Sequence, residues 1–206
     1  MLVLCFNVAL ASKLRSLLVG KDLNPQVAVR HFHGWCIDML KRYHLPRPDA
    51  RIHRGENYIR ALEQATIAAV EAGHIPKGQY SAVMVDEGHD FAPEWLKLVA
   101  QMVNPSTDSL LVLYDDAQNL YGQRAKRQFS FKALGIKAQG RTTILKLNYR
   151  NTAQVLMLAY TFAKEIMQPT DSKDEDLPPM VEPNSAGREG SEPVLVKCAN
   201  YKAEIA

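Results

Sequence analysis

Apolar runs and helical stripes alternate along the chain. Leu2 to Phe6 is a short continuous apolar run, the pattern of a buried strand. Leu10, Leu14, Leu17 and Leu18 then fall on one helical face, and Gly20 stands as a helix stop. Val27 to Phe32 reads as a second strand, and Cys36, Met39, Leu40 and Tyr43 mark a second helical face. Pro46 and Pro48 break the pattern before a helix predicted over Glu56 to Ala72, closed by Gly73. Ala82 to Val85 and Leu110 to Leu113 are two more strand-like runs. Between them, Trp95, Leu96, Val99 and Val103 share a helical face behind Pro93, a residue suited to a first helical turn. Ile144 to Leu147 predicts a further strand and Thr152 to Met167 a long helix.

Strands apolar on both faces and separated by helices predict an α/β fold whose parallel sheet is covered on both sides. The first domain is expected to span residues 1–167, with a small helical insertion at about 44–78. From Gln168 to Pro193 the composition shifts to Pro, Asp, Glu, Ser and Gly, which predicts a flexible acidic linker. Val194-Leu-Val then reads as the first strand of a second domain, over residues 194–206.

Composition narrows the setting. Apolar residues make up 47% of the 206, enough to bury a core, and the formal net charge of +3 says little by itself. Cys5, Cys36 and Cys198 are odd in number and lack C-x-x-C spacing, which disfavours a disulfide framework and predicts a reducing cytoplasm. Met1 to Ala11 has no positive charge ahead of its apolar run and is broken by Asn7, unlike a secretion signal. No run reaches bilayer-spanning length, so no membrane partner is expected. The charge distribution says more. Ala117 to Lys164 contains no Asp or Glu but holds nine Lys and Arg residues, from Arg124 to Lys164. Such a stretch is either a solvated face or a phosphate-contacting one.

Three strand ends carry chemistry. Val83-Met-Val-Asp86-Glu87-Gly-His89-Asp90 is an apolar strand ending in adjacent acids. At the carboxyl end of a parallel strand, an Asp can hold hydrated magnesium and a Glu can polarise an attacking water. A helix N-cap is the simpler alternative for acids at that place. Leu110 to Gln118 repeats the geometry with Asp115 and Asp116, then an amide able to orient water near a γ-phosphate; a turn is the simpler alternative. Leu145 to Thr152 ends a strand in Asn148, Tyr149 and Arg150: a stacking face and a cation for phosphoryl charge, or an ordinary strand-to-helix turn.

Taken in order, these segments resemble superfamily 1 DNA helicases of the UvrD/Rep kind. Asp86-Glu87-Gly88-His89-Asp90 is similar to motif II, D-E-x-Q-D, and Asp115 to Tyr121 to motif III, G-D-x-x-Q-S-I-Y. Leu147 to Asn151 resembles motif IV, Leu2 to Asn7 motif Ia, and His31 to Trp35 the T-F-H-G-W segment that follows it. Several motifs in order are more specific than any one. The resemblance spans roughly residues 1–167 and implies a RecA-like sheet of the P-loop NTPase type, a magnesium–ATP cofactor and action on single-stranded DNA or DNA junctions, with 3′-to-5′ polarity. It implies Asp86 as magnesium ligand, Glu87 as general base, and Gln118 and Arg150 at the γ-phosphate. Asp115 would lie beside the nucleotide, Tyr149 would stack on adenine, and Phe6, Asn7, Phe32, His33, Tyr121 and Arg124 would line the single-stranded DNA path.

Departures from the family pattern are specific. His89 stands where motif II has Gln, Tyr114 where motif III has Gly, Gln123 where many relatives stack a Trp, and His31 where the family has Thr. No G-x-x-x-x-G-K-S/T occurs; Gly20-Lys21-Asp22 is the nearest fragment and reads as a helix cap. Motif Ia falls at residue 1, ahead of which the family places its phosphate loop, and motifs V and VI are absent, so the remainder of a helicase chain is an expected partner. The 206 residues alone are expected to show neither useful ATP turnover nor unwinding. Three rival readings exist: a non-catalytic module binding single strands, a two-metal nuclease built on Asp86, Glu87, Asp90, Asp115 and Asp116, and a zinc site at His31, His33 and Cys36.

Overall fold

The structure is a computed structural model that describes residues 1–23, 25–115, 129–166 and 182–199. Two compact units divide the chain, residues 1–138 and 139–206.

The first unit is an α/β layer structure. Its strands are β1 (Leu2–Cys5), β2 (Ala28–His31), β3 (Val83–Asp86) and β4 (Leu110–Val112). They form one parallel sheet in the order β2-β1-β3-β4. Its helices are α1 (Val8–Gly20), α2 (Phe32–Arg42), α3 (Glu56–Glu71) and α4 (Pro93–Gln101). The pleat sends alternate residues of β1 to opposite faces. Leu2 and Leu4 join the larger core, with Trp35, Met39, Leu62, Val83, Val85 and Leu96 from α2, α3, β3 and α4. Val3 and Cys5 join a smaller core with Ala11 and Val29, under α1. The expected two-sided cover is therefore present and unequal.

Local chemistry explains the helix starts. Asn7 Oδ1 accepts the backbone N–H groups of Ala9 and Leu10, at 2.8 and 3.2 Å, and so caps α1. Pro93 opens α4. Helix α3, within the expected insertion, packs into the core: Leu62, Thr66, Ala69 and Val70 are buried, and three of them belong to the main core. Phe32, read as the end of a strand, instead begins α2 and is 1% exposed.

The winding positions the site. From β1 the chain crosses by α1 on one face to β2 on one side; from β3 it crosses by α4 on the other face to β4 on the opposite side. Adjacent strands β1 and β3 thus send their following helices apart, the topology at whose carboxyl edge parallel sheets place their ligands. Cys5 pairs with Asp86 in the register, so the paired acids sit at that edge.

The second unit holds β5 (Leu147–Asn148), α5 (Ala153–Ile166) and β6 (Asn184–Ser185). Strands β5 and β6 pair in parallel as a sheet of their own. This corrects three expectations. Ile144 to Lys146 are not strand, and β5 does not extend the four-stranded sheet. Residues 184–185, within the expected linker, are hydrogen-bonded as β6. Val194 to Val196, expected as a strand, are exposed and form none among the described residues. A strand needs a neighbour for its backbone groups, and apolar composition alone does not provide one. No helix among the described residues is long and apolar enough to cross a membrane.

Candidate active site at the carboxyl edge of the sheet

Asp86 is the last residue of β3, and its Oδ1 accepts the Glu87 N–H at 3.0 Å. Glu87 lies in the left-handed region, at φ 53° and ψ 47°, which costs a side-chain-bearing residue about 1 kcal/mol. The next residue pins this turn in place. Gly88 donates its N–H to Leu113 O at 2.8 Å, just beyond β4. A Cβ on Gly88 would stand 2.7 Å from Val112 Cγ1 and 3.1 Å from Leu113 O, so glycine alone permits the approach. The Asp90 N–H then closes on Glu87 O at 2.9 Å, forming a short 3-10 turn over Gly88–Asp90. His89 and Phe91 are buried behind it.

The edge is electronegative. Burial first, and then the charges of Asp86 and Glu87, push the Cys5 thiol up to about 11. Among the described residues no partner holds Asp86 Oδ2, and no three His, Cys, Asp or Glu side chains converge as a ligand set. One carboxylate with open coordination suits magnesium, which keeps most of its waters and shares phosphate oxygens. A lone carboxylate of this kind is no protein cage for a metal, and it fits an ion such as magnesium that keeps most of its waters.

The zinc grouping does not assemble. Cys36 is fully buried, and desolvation pushes its thiol up to about 12. His33 Nε2 lies 2.8 Å from Glu63 Oε1, linking α2 to α3. The His31 ring lies over Gly34, and burial, then His33 and Arg15, hold its pKa down against the pull of Asp38.

The expected DNA-path residues divide. Phe6 is 42% exposed at the end of β1 and lies nearly parallel to Trp95, at 17° with centroids 6.4 Å apart. Trp95 in turn stacks on Phe32 at 4.6 Å and takes His33 edge-on at 5.0 Å. Phe32 is thus the buried underlay of an aromatic step, not an exposed stacking face. The side-chain oxygen of Asn7 is committed to its cap. Tyr121, Arg124, Gln118 and Asp116 lie outside the described residues. Asp115 is exposed beyond β4, on the same carboxyl edge as Asp86.

Tyr149 and Arg150 belong to the second unit. Asn148 Oδ1 accepts the N–H groups of Arg150 and Asn151 at 3.0 and 2.9 Å, a side-chain-closed turn in which Tyr149 and Arg150 are exposed. Sequence reasoning did not find Gly88 as the pin, His89 as a buried group or Trp95 as part of the aromatic step. Trp95 was legible only as one member of a core stripe. The packing against Phe6 is a tertiary contact between residues 89 positions apart.

Comparison of the chain with family models, with curated proteins and with solved structures finds no match in any of the three.

Proposed function

We propose that this chain is the magnesium- and water-handling part of the first RecA-like domain of an ATP-dependent DNA helicase of the UvrD/Rep kind. The observation that carries the reading is the Asp86–Glu87 turn, strained and glycine-pinned at the carboxyl ends of β1 and β3. Unrelieved backbone strain concentrates where a side chain must be aimed, and ligands of parallel sheets gather at such an edge.

In this reading Asp86 would hold the magnesium that accompanies the nucleotide. That ion, when bound, would neutralise charge on the phosphate oxygens. Glu87, half-exposed, accepts the proton of the attacking water. Gln118 would orient that water and Asp115 would lie beside the nucleotide; the roles of Tyr149 toward adenine and of Arg150 toward the γ-phosphate rest on the resemblance alone. Phe6 offers an exposed ring to a nucleobase, in the sequence-tolerant manner of single-strand binders, and Trp95 backs it.

The decisive experiment measures ATP hydrolysis, with and without single-stranded DNA, in the helicase chain that carries this segment together with a phosphate loop. Glu87→Gln should abolish turnover and spare nucleotide binding. Unchanged hydrolysis in that variant refutes the role of Glu87. A second reading, a module that holds single strands without hydrolysis, is favoured for the 206 residues by themselves, because they contain no G-x-x-x-x-G-K-S/T. Binding of labelled oligothymidylate that weakens steeply with salt, with no ATP turnover, is its signature. Magnesium-dependent DNA cleavage without ATP would instead support the nuclease reading.

A further inference from the structure

We infer that His89 is a positioning residue for Glu87, its imidazole serving as the fixed donor that aims a half-exposed carboxylate at the carboxyl edge of β1 and β3. The inference rests on the reading in which Glu87 takes a proton from water.

The two partners differ in freedom. The His89 side chain is 5% exposed and the Glu87 side chain 42%. The His89 ring is set edge-on against Tyr114, at 6.1 Å and 90°, and Tyr114 is itself edge-on to Phe131 at 5.5 Å. Its backbone is held by the 3-10 turn and by the Gly88 N–H bond to Leu113. Glu87 hangs from a strained backbone with its carboxylate toward solvent. His89 Nε2 stands 3.6 Å from Glu87 Oε2, too long for a hydrogen bond and close enough for a side-chain rotation to close it.

The ring's other nitrogen points the same way. His89 Nδ1 is buried and has no partner among the described residues. A proton on Nδ1 would bury an unmatched N–H and turn the Nε2 lone pair on a carboxylate. A proton on Nε2 gives the carboxylate its donor and leaves only an acceptor buried. Both ends of the ring therefore favour the Nε2–H tautomer. The other His–Glu pair gives the contrast: His33 and Glu63 are both largely buried and already closed at 2.8 Å, as a structural tie needs. The His89 pair is open at the functional edge, and one partner is free to move. A fixed donor narrows the carboxylate's rotamers before substrate arrives, which favours reaction by orientation.

Two measurements test this. The first is the ring-nitrogen NMR spectrum of the 15N-labelled chain, with His89→Gln for assignment. His89 should show the Nε2–H tautomer, and Glu87→Ala should move its Nε2 resonance while leaving that of His33 in place. A His89 resonance indifferent to Glu87→Ala overturns the inference, whether or not the chain turns over ATP. The second is steady-state hydrolysis in the phosphate-loop-bearing chain. His89→Leu should lower kcat roughly tenfold with KM for ATP unchanged, the loss of one hydrogen bond to a charged group. His89→Gln, which keeps a donor, should recover most of it. Turnover that needs Glu87 but ignores His89→Leu overturns this inference alone; turnover that ignores Glu87→Gln overturns the reading beneath it.

Discussion

Two strand-to-helix turns carry the chemistry proposed for this protein, and they are built differently. The turn after β3 is strained and is pinned to a neighbouring strand as well as closed on itself. Gly88 bonds to Leu113 beyond a neighbouring strand, His89 packs on Tyr114, and Glu87 bears a left-handed backbone. The turn after β5 has no left-handed residue: the Asn148 side chain closes it on its own next residues, the Ala186 N–H and Arg188 Nη1 donate to its Asn148 and Arg150 carbonyls, and Tyr149 is left 74% exposed. The difference lies in backbone strain: Glu87 sits in the left-handed region, whereas no residue of the turn after β5 does.

The largest expected effect lies at the pin. Gly88→Ala places a methyl group 2.7 Å from Val112 Cγ1, beside a backbone oxygen that cannot yield. A loss of about 2 kcal/mol is expected in chemical denaturation of the first unit. Asn148→Ala should cost about 1 kcal/mol, felt only in the second unit. Equal losses would erase the distinction between the two turns.

Glu87 sharpens the comparison in the opposite direction. Glu87→Gly relieves the left-handed backbone and should be more stable than Glu87→Gln by about 1 kcal/mol, although both lack the carboxylate. A glycine variant no more stable than the glutamine variant would show that the turn is not strained.

The cysteines offer the smallest test. Cys5 lies beneath the acid turn and Cys36 in the larger core, whereas Cys198 is exposed in the second unit. In the native chain a thiol reagent should modify Cys198 alone, and denaturant should release the other two. The folded state holds the Cys5 proton up to about 11, against 9.0 for a free thiol. Above pH 9 the unfolded chain therefore binds fewer protons at this site. Its contribution to stability is complete below pH 9 and is lost as pH rises toward 11. Cys5→Ser should flatten that part of the curve.

Much of the first unit was legible in the chain. Leu2 to Cys5, Val83 to Val85 and the stripe behind Pro93 became β1, β3 and α4, because runs buried on two faces and stripes buried on one leave period signatures. The adjacent acids at Asp86 and Glu87 were legible as a candidate site for the same reason: they end an apolar strand. The second unit was read less well. Ile144 to Leu147 and Val194 to Val196 have strand composition, yet only Leu147 and Asn148 found a partner, in a segment whose acidic, proline-rich sequence pointed to a linker.

The sequence by itself determined the alternation of strands and helices, the acids at the end of β3 and the chemistry they could perform, since all of these are local in the chain. Tertiary structure decided which strands are neighbours, and so where on the sheet's carboxyl edge the acids lie. It also decided that Phe32 is underlay and Phe6 surface, that Gly88 is a pin, and that His89 faces Glu87 from a buried seat. Each of these depends on what approaches from a distant part of the chain, and packing of that kind leaves no periodicity to read.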